Sequence, residues 1–196
     1  MAVQSQTRVG MPMDEYIRQF DHAPFELIDG VRIPVTPPVA LHVLILKIIY
    51  AALLKVEQTM GIGFAFSKAP FVLTDSPDWV KGSRIPDVSF YLAARWAVYT
   101  TSMPDWYSKP FVLVPDLCVE IISANDNYQD VDAKVEKYLS DGVKLIWVVN
   151  PRNKTVVVYR QGTDQITRLS AGTILSGGDV IPNFTLPLKD IFPDQS

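Results

Sequence analysis

Three residues of this chain, Asp87, Glu120 and Lys134, could share one piece of chemistry. Glu120 sits in the run Leu117-Cys-Val-Glu-Ile-Ile122, with apolar neighbours on both strand faces. An unpaired buried charge costs several kcal/mol, so this carboxylate must be protonated, paired with a cation or bound to a metal. Asp87 follows Pro86 and precedes Val88–Leu92, where alternation puts Asp87, Ser89 and Tyr91 on one face. Taken alone it reads as a turn-capping aspartate. Lys134 lies on an amphipathic helix whose stripe is Val131, Val135, Tyr138 and Leu139. At about 100° per residue it stands about 60° from Val131, at the stripe's shoulder, whereas Lys137 stands about 120° away and is expected in solvent. Lys134 is thus either a snorkelling surface residue or the cation at the carboxylate site. Two carboxylates suit Mg²⁺, which keeps waters and takes a phosphate oxygen, activates a bound water and neutralises phosphate charge. The lysine would orient the attacking water and stabilise the developing charge.

The elements that must position them follow from periodicity and turn residues. Pro115–Ile122 and Lys144–Val149 are two-sided apolar runs, which predict buried strands, and the helix 126–141 between them ends at Gly142. Such a strand–helix–strand unit predicts parallel pairing through a right-handed crossover. Asp29-Gly30 between two short apolar runs predicts a β-hairpin over residues 24–34. Met13–Phe20 predicts a short helix, and residues 1–12 a loose arm. Val39–Gln58 predicts a long helix, apolar nearly all round and therefore packed on most sides. Residues 62–74 read as one or two strands, Asp75–Ser83 as turns, and 93–110 as an irregular aromatic-rich insertion. Thr155–Arg160 pairs back after an Asn150–Asn153 turn, and short strands are expected near 166–169, 173–175 and 184–188. The class is mixed α/β, in a single domain spanning 1–196.

Composition bounds the rest. At 48% hydrophobic and 20% charged residues, the chain can bury a core, and disorder is excluded. Scattered Gly and Pro exclude a collagen-like chain, and the single Cys118, expected as small core filling, excludes a disulfide framework or Cys-rich zinc site. With no secretory signal, a cytoplasmic location is expected. The 16-residue run Val39–Leu54 contains His42 and Lys47 and is too short for a membrane span. Net charge is −3, yet residues 131–168 hold seven Lys and Arg against four Asp and Glu, which suits either a phosphate-facing surface or an ordinary solvated face.

Glu26-Leu-Ile-Asp-Gly30, His42 at the start of the long helix, Arg84-Ile-Pro-Asp-Val-Ser-Phe90, Pro115-Asp-Leu-Cys-Val-Glu-Ile-Ile-Ser123 and the stretch Lys134–Pro151 together resemble the Uma-two family of the PD-(D/E)XK nuclease superfamily. The resemblance runs from about residue 13 to 193. It implies a restriction-endonuclease-like core, a mixed sheet flanked by helices, here with an extra N-terminal hairpin and C-terminal strands. It implies Asp87 and Glu120 as metal-binding carboxylates and Lys134 as the catalytic lysine, because Ile122 stands where the superfamily's lysine should be. Glu26 would be a further carboxylate near the ion, set against a structural hairpin role. His42 would be a further site residue, set against a satisfied helix-end histidine. The function implied is Mg²⁺-dependent hydrolysis of DNA, with Mn²⁺ able to substitute. The alternatives are an inactive nuclease-fold module that binds nucleic acid or protein, and an enzyme for RNA or a small nucleotide. The wealth of aromatic residues, concentrated in 93–110, motivates a homodimer, whose paired sites would suit cutting a duplex.

Overall fold

The structure, a computed structural model, describes residues 8–123 and 128–193. In chain order it runs β1 (Met11–Pro12), α1 (Met13–His22), β2 (Phe25–Ile28), β3 (Val31–Pro34), α2 (Ala40–Met60), β4 (Gly63–Ser67), β5 (Phe71–Ser76), β6 (Trp79–Arg84), β7 (Val88–Leu92) and α3 (Ala93–Ser102). Then come β8 (Leu117–Ile121), α4 (Tyr128–Asp141), β9 (Leu145–Asn150), β10 (Thr155–Arg160), β11 (Thr167–Leu169), β12 (Ile174–Ser176), β13 (Thr185–Pro187) and α5 (Leu188–Ile191). The central sheet has the order β11-β10-β9-β8-β7-β4, with β8 and β9 parallel and the other neighbours antiparallel. The expected strand–helix–strand unit is there: β8 and β9 are neighbours joined through α4. The expected first two residues of α4 fall outside the described residues.

The sheet's two faces carry different cores. On one, Ile45, Ile49 and Leu53 of α2 pack against Val88, Phe90, Val119 and Trp147. On the other, Val135 and Tyr138 of α4 pack against Cys118, Ile146 and Val148, so Cys118 is core filling as expected. Glu120 alternates with Cys118 and therefore faces α4. The hairpin β2–β3 turns at Asp29 (φ 50°) and Gly30 (φ 82°), the two positive φ values that a tight hairpin demands. A small sheet, β1-β6-β5, backs the hairpin.

Four expectations need correcting. Residues 79–84 are a strand rather than turns, because Val80 and Ser83 point into the molecule and supply its buried side. Residues 93–102 are a helix, built on Ala-rich sequence whose Trp96 lies against Phe64, Phe66 and Phe111. The insertion's rings are thus largely spent on one another, and Tyr107 alone of its aromatics stays strongly exposed at 76%. α2 is not covered on most sides: it buries one stripe, His42 to Val56, and leaves Val43 and Leu44 to solvent. Part of the expected N-terminal arm is ordered, since Met11 and Pro12 pair with β6. Among the described residues no helix is long and apolar enough to cross a membrane.

Candidate nuclease site

Sheet register builds the site. β7 pairs with β8 as Phe90↔Leu117, Ser89↔Cys118 and Val88↔Val119, so one step further Asp87 stands opposite Glu120. β4 pairs Ser67 with Val88, so the next residue, Lys68, arrives beside Asp87, and its amide donates to the Asp87 carbonyl at 3.1 Å. Three neighbouring strands thereby set Lys68, Asp87 and Glu120 in a row at one end of the sheet. α4 then lays Lys134 over that row, with Nζ 2.9 Å from Glu120 Oε2. The helical arithmetic put Lys134 inward, and inward it goes. Lys137 stays in solvent contact as expected, and in addition reaches across to Asp29 of the hairpin at 2.7 Å. The hairpin loop leans over the end of α4, which an isolated helical projection cannot anticipate.

Every carboxylate oxygen here has a partner. Asp87 Oδ1 accepts from His42 Nε2 at 2.9 Å and from Lys68 Nζ, and Oδ2 accepts from the Ile121 amide at 2.6 Å. Since an ionised Asp only accepts, His42 Nε2 must carry the proton. Glu120 Oε1 accepts from the Tyr138 hydroxyl. Glu26 Oε1 accepts from the Ile85 amide at 2.8 Å, while its Oε2 lies 3.7 Å from Lys134 Nζ. The hairpin glutamate thus has the structural role the sequence allowed, tying β2 to the chain before Asp87, and also stands as a third carboxylate beside Lys134. His42, in the first turn of α2, is buried at 5% exposure, and its Nε2 is partnered across the site by Asp87, so it is at once a helix-end histidine and a neighbour of the site.

The charges do not balance. Three carboxylates, Glu26, Asp87 and Glu120, face two ammonium groups, Lys68 and Lys134. Glu120 responds: burial pushes its carboxyl up to about 7, the Lys134 charge and hydrogen bond pull it down, and the neighbouring Asp87 and Glu26 charges push it up. Asp87 moves the other way, burial being outweighed by the His42 hydrogen bond and the Lys68 charge, which hold it below the usual carboxylate range. Burial works against the Lys134 ammonium, but Glu120 and Glu26 outweigh it and keep it firmly charged. Tyr138 is raised well above an ordinary phenol by burial and by Glu120, so it is a hydrogen-bond donor here and not a phenolate.

An added divalent cation would meet hard oxygen donors and an unmet demand for positive charge. Among the described residues no cluster of three or more His, Cys, Asp and Glu could hold a metal by itself. Asp87 and Glu120 are the two carboxylates that could hold such an ion, and the rest of its shell would have to come from water, as Mg²⁺ tolerates. A cavity of about 480 Å³ opens beside these groups, lined by Glu26, Lys68, Asp130, Lys134 and Lys137 together with apolar residues of the hairpin. Sequence reasoning missed Lys68 and Tyr138. Lys68 sits in a loop without periodicity, and Tyr138 reads as one more member of an apolar stripe.

The comparisons bear on the same region. The family whose model matches is Uma2, described as "Putative restriction endonuclease", over residues 13–189. A crystal structure described as "a putative nuclease belonging to DUF820", from Anabaena variabilis, superposes with a TM-score of 0.74 at 21% identity, covering 93% of this chain and 97% of that one. At that identity it is the fold that is shared. No curated protein matches the chain.

Proposed function

Because the chain belongs to the Uma2 family, we propose that it is an endonuclease that hydrolyses DNA phosphodiester bonds with Mg²⁺, Mn²⁺ being able to substitute. The observation that carries this reading is the surplus negative charge of Glu26, Asp87 and Glu120 beside a cavity lined by lysines. When bound, the ion supplies Lewis acidity and a water of lowered pKa. Asp87 and Glu120 are the residues that hold it. His42 and Lys68 keep Asp87 ionised and fix its orientation. Lys134, firmly charged, is placed to orient the attacking water and to meet negative charge developing on the phosphate. Tyr138 fixes the Glu120 carboxylate from the side opposite Lys134. Glu26 holds Lys134 from behind and contributes to the field that favours a cation.

One observation favours a second reading, an inactive module: Lys68 and Lys134 already pair with the two carboxylates, as a purely structural ion-pair network would. Cleavage of supercoiled plasmid separates the two. The nuclease reading expects nicking or linearisation with Mg²⁺ or Mn²⁺, none in EDTA, and none with Glu120→Gln. Uncut plasmid with either metal, for protein that melts cooperatively, contradicts it. RNA of the same sequence serves as the parallel substrate and should be cut far more slowly.

The homodimer belongs to the same proposal; most rings of the aromatic insertion pack on one another and on the sheet, which leaves Val98 and Tyr107 exposed for such a face. Two copies related by a two-fold axis would present two sites to a duplex. Sedimentation at micromolar concentrations should give twice the monomer mass, and a monomer throughout rejects the pairing.

A further inference from the structure

The cavity of about 480 Å³ beside Glu26 has two unlike walls. One is α4, which presents Asp130, Ala133, Lys134 and Lys137, spaced so that all four share one helix face. The other is the hairpin. Glu26 pairs with Ile33 and Ile28 with Val31, so these four side chains leave the hairpin on one common face. Between Glu26 and Thr36 that wall is aliphatic, formed by Ile28, Ile33, Pro34 and Val35. Ile33 is 43% exposed and Val35 39%, and Val31 on the same face is 58% exposed. At about 3.3 Å per strand residue, the three form an apolar strip about 13 Å long. Contiguous exposed apolar surface rimmed by polar groups marks a binding site.

The two walls match the two sides of an unpaired nucleic-acid strand. In a duplex the base faces are stacked on one another, and a protein wall meets phosphates, sugars and base edges that ask for hydrogen bonds. Ile, Pro and Val side chains can offer none. An unpaired strand carries phosphate along one side and exposed base faces along the other, and proteins that bind it pair a cationic track with apolar platforms. Sites for small molecules run from about 300 to 1,000 Å³, so this cavity has room for a nucleotide.

We infer that the slot between the hairpin and α4 takes an unpaired segment of the DNA strand, its phosphates along α4 and its bases against Ile33 and Val35. A duplex must open locally to enter. The inference deepens the nuclease reading and rests on it for the choice of DNA. Each lysine of the slot already faces a carboxylate: Lys134 meets Glu120 and Glu26, Lys137 meets Asp29, and Lys68 meets Asp87. The strand therefore binds together with a divalent cation, which offsets the surplus of acids. Aliphatic contact is indifferent to which base it meets, so sequence preference is weak.

The test is fluorescence anisotropy of a labelled 20-nucleotide DNA strand and of the duplex it forms with its complement. Both are measured in EDTA and with Ca²⁺, which takes the same oxygen donors, and strand integrity is checked on a gel. With Ca²⁺, wild type should bind the single strand about tenfold tighter than the duplex, and EDTA should remove most of that advantage. Ile33→Thr combined with Val35→Thr keeps β-branched residues in the hairpin and changes two exposed positions, so Tm should stay close to wild type. This double variant should weaken single-strand binding about fivefold and bring the strand-to-duplex ratio toward one. Its salt slope over 50–200 mM should not change, because no phosphate contact is lost. Equal wild-type affinity for strand and duplex, or a double variant that keeps the full advantage, overturns the slot; if that wild type still cuts plasmid with Mn²⁺, the nuclease reading stands. A variant that turns a dimer into a monomer and binds the strand as before makes the aliphatic face an interface between copies, which also overturns the slot. A single-strand advantage that the double variant loses, in a protein that cuts neither DNA with Mn²⁺, supports the slot and removes the nuclease reading.

Discussion

Two clusters of charged residues sit within a few residues of each other on the same strands, and they are built to opposite ends. Around Asp116, which is wholly buried, Arg95 lies at 3.0 Å and Lys144 at 2.9 Å, and the Leu92 amide donates to Oδ2 at 2.9 Å. One carboxylate meets two cations and a backbone donor, and both cations reach the surface. Around Glu120 the count is inverted, with three carboxylates against two lysines and a cavity at the door. The first cluster is complete without a ligand and ties α3 and β9 to the start of β8. The second has one carboxylate more than it has lysines. Both are built from buried carboxylates and long cationic side chains; stoichiometry and access distinguish them.

The sharpest way to break that comparison is to change one carboxylate in each cluster. Glu120→Gln should cost on the order of 10³-fold or more in cleavage, since a bound ion supplies several kcal/mol of transition-state stabilisation. The same variant should be folded and no less stable than wild type without metal, because it removes the carboxylate whose charge is disfavoured. Asp116→Ala should do the reverse. It leaves the Leu92 amide without its acceptor and costs about 2–3 kcal/mol by thermal or urea denaturation, while the residual folded fraction cuts DNA normally. Equal loss of activity in both variants would erase the distinction.

How much of this could be read from residues alone differs between the clusters too. The β8–α4–β9 unit was legible because two-sided apolar runs flank one amphipathic helix, and that unit carries Glu120 and Lys134. Alternation after Pro86 gave Asp87 its face, but its role came only from the family resemblance, and its place opposite Glu120 follows from antiparallel register. Lys68 was not, since a loop lysine acquires a role only once β4 lies beside β7. α2 misled because composition shows that a helix is apolar and not which face another element covers. β6 was hidden by its Gly82 and the turn residues before it, and α3 by its aromatics.

Acid–base behaviour sharpens the comparison at intermediate size. Glu120 has a folded pKa raised from 4.5 to about 7, so the folded state holds its proton more tightly than the unfolded chain does. Its contribution to stability is full below about pH 4.5 and is lost as pH rises through about 7, by at most about 3 kcal/mol. Wild type without metal should therefore lose stability between pH 5 and 8, and Glu120→Gln should flatten that slope. Asp87 has a lowered pKa, so its contribution is present above the ordinary carboxylate range and is lost as pH falls below it. Chemical denaturation from pH 3 to 8 checks both signs.

Smaller effects follow further out. Lys68→Met removes one of the groups that keep Asp87 ionised, so the acid limb of the pH–rate profile should move upward and cleavage fall about tenfold at neutral pH. An unmoved acid limb would leave Lys68 with no part in the site. Lys137→Ala breaks an exposed pair with Asp29 and should change stability by no more than about 0.5 kcal/mol.

The central claim is that the Glu120 cluster lacks positive charge and takes a divalent cation. Thermal melts of wild type and Glu120→Gln, each with and without Mn²⁺, test it most directly. The account predicts that Mn²⁺ raises the wild-type Tm in a concentration-dependent way, that Glu120→Gln melts at or above wild type without metal, and that the variant responds little to Mn²⁺. A wild type indifferent to Mn²⁺, with a Glu120→Gln protein destabilised by about 3–5 kcal/mol because Lys134 is left buried without its carboxylate, would contradict it.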